Sequence, residues 1–129
     1  MGADVREHVE TLAAYGAEEV FVAQHACLEP YTAEAYAEVL IRAVEKHKPA
    51  VLLFPATADG RELAPRIAAR LQLGLTGDCI GLEIDEMGNL IQLKPAFGGN
   101  IVAPIVSRTR PQMATVRSGI LGRAKPDWS

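Results

Sequence analysis

A chain of 129 residues, 49% hydrophobic and 22% charged, has the composition of one globular domain, which excludes a disordered segment and a disulfide scaffold. At this length folding buries roughly two thirds of the surface that the unfolded chain exposes, enough for a core. The formal net charge of −3 leaves no basic excess for phosphate backbones, so nucleic acid is excluded as a partner, and no apolar run approaches the roughly 20 residues that span a bilayer.

Val5, Val9, Leu12 and Ala13 recur at helical spacing, so the chain opens in a short amphipathic helix that Gly16 stops. The residues before it carry no apolar stretch of a secretory signal, and Arg6 stands where an acylation motif wants Ser or Thr. Glu19–Ala23 reads as a strand. Thr32 starts a second helix, with Tyr36, Leu40, Ala43 and Val44 or His47 on one side and the Lys-His-Lys end before Pro49 suited to a helix C-terminus. Ala50–Phe54 is five apolar residues without alternation, the pattern of a parallel strand covered on both faces. In the next helix Asp59 is an N-cap candidate with Glu62 three residues on, Pro65 limits how far upstream the helix begins, and Leu63, Ile67 and Leu71 form a narrow apolar face.

From Gly74 the pattern changes. Asp85–Asn89 is a turn between Ile80–Ile84 and Leu90–Leu93, a hairpin, and the runs Ile101–Val106 and Met113–Val116 read as short, mostly buried strands. Residues 1–119 are therefore expected to form one α/β domain, a three-layer, mainly parallel sheet flanked by helices with an antiparallel hairpin region in the C-terminal half. Residues 120–129 read as a linker or terminus.

Chemistry-bearing residues are sparse. Cys27 and Cys79 form no CxxC pair and have no His at ligand spacing, so both are expected as reduced, mostly buried thiols of a cytosolic-type protein. His8, His25 and His47 make no metal pair, and no catalytic constellation stands out. The Pro55–Arg61 loop is the strongest place for a ligand, because open α/β sheets bind ligands beyond the carboxyl ends of their strands. Arg61 and Arg66 either serve an anion there or pair with acids and a partner surface, and the missing P-loop and GxGxxG patterns favour the second. Gly98 and Gly99 are too short a pair to cradle a phosphate and shape the backbone instead, through a bulge or a close approach.

Two stretches, DGRELAPRIAARLQLGLTGDCIGLEID at 59–85 and GNLIQLKPAFGGNIVAPIVSRTRPQMATVRSG at 88–119, together resemble the N-terminal domain of the alpha subunit of electron transfer flavoproteins. PAFGGN followed by RPQMATVR is the specific signature, and YGAEEVFVAQ matches more loosely. The resemblance implies a fold related to nucleotide-binding hydrolases and a heterodimeric carrier. In it, FAD accepts electrons from dehydrogenases and passes them to an acceptor. It implies a beta-subunit partner, a cytoplasmic setting in a bacterium or archaeon or a mitochondrial matrix in a eukaryote, and no catalytic site on this chain. The family's FAD is held mainly by a domain that would follow Gly119, so none is expected on this chain alone. Arg61, Arg66, Arg110, Gln112 and Arg117 are the residues expected at subunit or domain contacts. In the family's order further strands stand between Val20–Ala23 and Ala50–Phe54. An open sheet edge there is expected either to close by direct pairing or to associate with itself or a partner. The rival expectations are a free-standing nucleotide-binding module using residues 55–61 and an interaction domain with no small ligand.

Overall fold

The first helix is short because its C-terminus is closed at once. In the computed structural model, which describes residues 1–129, a 3-10 turn at Arg6–His8 runs into α1 (Val9–Ala14). Gly16 at φ 97° lets its own N–H reach Ala13 O at 2.9 Å and the Ala17 N–H reach Leu12 O at 3.1 Å, the paired bonds of a glycine C-cap. The chain's end lies on this helix: the Asp127 N–H donates to Ala14 O at 2.7 Å and the Arg123 guanidinium sits 4.8 Å from the Tyr15 ring centre. The strand expected at Glu19–Ala23 does not form. An extended segment becomes a strand only with a neighbouring ladder, and the pairing here is a single bridge between Gly2 and Gln24. Phe21 instead lays its ring against His47, centroids 4.2 Å apart.

Helix α2 (Ala33–His47) begins where Thr32 accepts from the Ala35 N–H, and α3 (Ala58–Leu71) begins where Thr57 accepts from the Gly60 N–H at 3.2 Å. The cap of α3 is thus Thr57 rather than Asp59, a contact typically of about 1 kcal/mol. Between the helices runs β1 (Val51–Pro55). The most buried stripe of α2 is Ala33, Ala37, Ile41 and Val44, with Tyr36 and Leu40 beside it rather than at its centre. Small Ala37 opposite Ala64 and Ala68 of α3 lets the helices approach closely, and Ile67, Leu63, Phe54 and Met113 fill the space beneath.

Pro65 lies inside α3, well past the first turn where a proline was expected. It supplies no N–H for Arg61 O, yet the buried Leu63, Ala64 and Ile67 on either side hold the helix together. Pro65→Ala restores that donor at an exposed position and is expected to raise unfolding stability by about 1–2 kcal/mol, after the smaller entropic advantage of proline in the unfolded chain is subtracted. Urea titration measures it, and an unchanged or lowered midpoint would contradict it.

Two three-stranded sheets complete the fold. The parallel one has the order β1-β6-β2, with β6 (Gln112–Val116) at its centre and β2 (Leu75–Cys79) on the far side. The central position explains the burial of Met113, Ala114 and Thr115. β1 is hydrogen-bonded on one side only, so the edge between it and residues 19–23 is not closed by direct pairing. The antiparallel sheet has the order β3-β4-β5, formed by Gly81–Ile84, Leu90–Ala96 and Ile101–Val106. The expected hairpin is present. Asp85 organises its turn by accepting from the Met87 N–H at 2.9 Å and the Asn89 N–H at 2.7 Å. Leu90 and Gln92 of β4 face inward, where Thr76 of β2 donates to Gln92 Oε1 at 2.5 Å.

Candidate functional site

The strand expected to be mostly buried, Ile101–Val106, is an edge strand with much of its apolar surface in solvent. Register places Val102 opposite Pro95, Pro104 opposite Leu93 and Val106 opposite Ile91. Side chains alternate along strands, so these six share one face of the sheet, directed away from the inward-facing Leu90 and Gln92. Val102 is 45% and Val106 46% exposed, and the one charged residue in register with them on this face is Glu83, opposite Ile91. An uncovered apolar sheet face of this kind is a mark of a protein partner. Sequence reasoning missed it because a run of β-branched residues reads alike in a central strand and in an edge strand waiting for a cover.

A second feature lies at the carboxyl ends of the parallel strands. Asp78 takes a left-handed backbone conformation, φ 59°, where β2 slips register against β6 between Thr76 and Cys79. The slip is fixed by the Asp78 N–H donating to Thr115 Oγ1 at 2.8 Å and the Arg117 N–H donating to Cys79 O at 2.9 Å. The Asp78 carboxylate receives Arg117 through Nη2 at 2.6 Å and Nε at 3.3 Å, and Arg61 through Nη2 at 3.3 Å. Lys94 donates to the neighbouring Gly77 O at 2.5 Å. A cleft of about 300 Å³ opens among Arg61, Pro65, Gly77, Asp78, Lys94 and Thr115. Two arginines expected at contacts, far apart in sequence, thus meet on one carboxylate.

The hydrogen bond from Arg117 holds the Asp78 carboxyl below the usual carboxylate range, and bonds from Asn89 do the same for Asp85. A folded-state value below the unfolded one, about 3.9, stabilises above that pH, and the contribution disappears as pH falls through the folded value. Stability should therefore drop below about pH 4, and the drop should shrink in Asp78→Asn with Asp85→Asn. Thermal unfolding followed from pH 6 to pH 3 tests this, and an equally steep loss in the double variant would refute it.

The remaining expected contacts are scattered. Arg66 bridges Glu34 at 3.1 Å and Glu62 at 3.4 Å on the helix surface. Arg110 donates to Asn89 Oδ1 at 2.6 Å and to the Ser107 and Thr109 carbonyls, at the end of the antiparallel sheet where Ile91 pairs with Val106. Gln112 is 1% exposed, and its amide bonds to Leu90 N at 2.9 Å, Leu90 O at 3.0 Å and Ser107 O at 3.3 Å. It ties the two sheets together from inside and presents nothing to a partner in this conformation. Gly98 and Gly99 have φ 68° and 89° in open space, so their role in the turn between β4 and β5 is positive φ, not close approach. Cys79 is buried, which pushes its thiol pKa up, whereas Cys27 is exposed, contrary to expectation.

The Pro55–Arg61 loop is used by the fold itself. Thr57 caps α3, and a Cβ on Gly60 would stand 1.9 Å from Pro55 O, so this glycine serves contact between two backbone segments rather than approach of a phosphate. The neighbouring cleft of about 300 Å³ presents Arg61, Asp78, Lys94 and Thr115. No cluster of His, Cys, Asp or Glu could hold a metal ion, and no helix is long and apolar enough to cross a membrane.

The sequence model described as electron transfer flavoprotein domain matches residues 1–127. The chain is 48% identical over 128 residues to electron transfer flavoprotein subunit alpha of Thermoanaerobacterium thermosaccharolyticum, covering 98% of this chain and 39% of that one. It is 44% identical to protein FixB of Clostridium saccharobutylicum, over 98% of this chain and 38% of that one. It is 49% identical over 118 residues to the lactate dehydrogenase (NAD(+),ferredoxin) subunit LctC of Acetobacterium woodii, over 91% of this chain and 28% of that one. The chain thus spans two fifths or less of the length of these relatives.

Proposed function

Because the chain belongs to the electron transfer flavoprotein family, we propose that it is the scaffold and interface portion of an alpha subunit in a heterodimeric, FAD-containing carrier that moves electrons from dehydrogenases to an acceptor. The observation that carries this reading is the uncovered face of Ile91, Leu93, Pro95, Val102, Pro104 and Val106, an apolar surface with the makings of an interface core. Arg110 stands at one end of that face, and Arg61, Arg66 and Arg117 are further polar contacts to the beta subunit or to a neighbouring domain. The chain carries no catalytic site of its own. FAD belongs to the rest of the assembly, a reading supported by the use of Thr57 and Gly60 in the 55–61 loop to build the start of α3. The setting is the cytoplasm. The free edge of β1, flanked by a groove containing Tyr36, Leu40 and Leu53, is open to association with a second copy.

Co-purification with a family beta subunit tests the reading. A stable one-to-one complex is expected, with no flavin absorbance on this chain alone after incubation with FAD and desalting. Failure to bind the beta subunit would defeat the interface assignment, and flavin retained stoichiometrically by the isolated chain would defeat the division of roles.

A further inference from the structure

We propose that the cleft between α3, β2 and β4 binds a phosphate-type dianion on Arg61, Lys94 and Thr115, with Arg117 held beside it on Asp78. This inference shares Arg61 with the proposed partner contacts but rests on the cleft and not on the apolar face.

Charge balance is the first ground. Elsewhere on the surface Arg66 lies between two acids, Glu34 and Glu62, and Arg42 and Arg70 share Glu38. Here Arg61 and Arg117 pair with the one carboxylate of Asp78 and a third cation, Lys94, sits on the adjacent Gly77 carbonyl, in a chain whose net charge is −3. Two positive charges are left over, which matches a dianion.

Donor geometry is the second ground. Arg61 uses one N–H on Asp78, Arg117 uses Nε and Nη2 and keeps Nη1, and Lys94 uses one donor on Gly77 O. Thr115 is 3% exposed, lines the cleft and accepts from the Asp78 N–H, and its hydroxyl proton is given to no group of the chain. Asp78 acts as a positioning residue, because its left-handed backbone aims the carboxylate so that both guanidiniums are held before a ligand arrives. The lining is polar and the volume of about 300 Å³ suits phosphate or pyrophosphate better than a base and its ribose. Bidentate recognition of phosphate oxygens is what paired guanidiniums do well.

The test is isothermal titration of the full chain with inorganic phosphate, pyrophosphate and AMP at constant ionic strength set with sodium chloride. Saturable binding of phosphate or pyrophosphate is expected. Arg61→Gln and Lys94→Met should each weaken it at least fivefold, and Arg42→Gln, outside the cleft, should leave it unchanged. Equal binding of phosphate and AMP, or tighter binding of AMP, would support the site with a nucleotide as its source, and binding of the inorganic ions alone would support a free anion. Absence of saturation with all three, or binding unaffected by Arg61→Gln and Lys94→Met in folded variants, would overturn the proposal. Circular dichroism establishes that each variant is folded.

Discussion

Gly60→Ala is expected to lower unfolding stability by about 3 kcal/mol, near the upper end for forced overpacking, because the new methyl would stand 1.9 Å from Pro55 O. No rotamer change can relieve a collision with a backbone carbonyl, so either β1 must shift against β6 or the first turn of α3 must unwind. Both movements disturb the packing of Phe54 against Leu63, at the centre of the core. Urea unfolding of Gly60→Ala beside Gly88→Ala separates the causes. Gly88 has φ 79° with nothing within 4 Å, so alanine there meets only the conformational cost of about 1 kcal/mol. Equal effects of the two substitutions would mean that close approach at Gly60 is not what the fold requires.

Val102→Asp combined with Val106→Asp is expected to weaken beta-subunit binding at least 100-fold while leaving the urea midpoint of the isolated chain nearly unchanged. Both side chains are about half exposed, so charge on them costs the free chain little. In a complex the same carboxylates would be desolvated against an apolar partner, and 100-fold corresponds to about 2.7 kcal/mol, within the range for central interface residues. Surface plasmon resonance gives the ratio. Undiminished affinity would move the interface elsewhere, with the cleft and the β1 edge as the remaining surfaces.

Arg61 and Arg117 illustrate how far a candidate site can be read in advance. They were expected as contact residues from a family resemblance, but their meeting on Asp78 depends on a register slip in β2 and a left-handed residue within it. Nothing in TGDC announces that slip, because an aspartate between a glycine and a cysteine reads equally as a turn or as a strand end. Lys94 and Thr115 escaped notice for a similar reason. A lysine in a strand is ordinarily a solvated edge residue, and a threonine in a β-rich run is ordinarily packing. Gln112 is buried at the start of the central strand and bonds to Leu90 from within, a placement that a polar residue beside Arg110 does not announce.

The sequence by itself determined the local grammar: three helices, an apolar parallel strand in the 50–55 stretch and the hairpin around Asp85–Asn89. These follow from periodicity, capping and turn chemistry, which act over a few residues. Only the tertiary structure decided which strand is central and which lies at an edge, that residues 19–23 form no strand, that Pro65 is carried inside a helix, and that Arg61 and Arg117 share one carboxylate. The reason is that burial and pairing belong to neighbours distant in sequence. The same run of valines and isoleucines is a core strand or an interface according to what is laid against it.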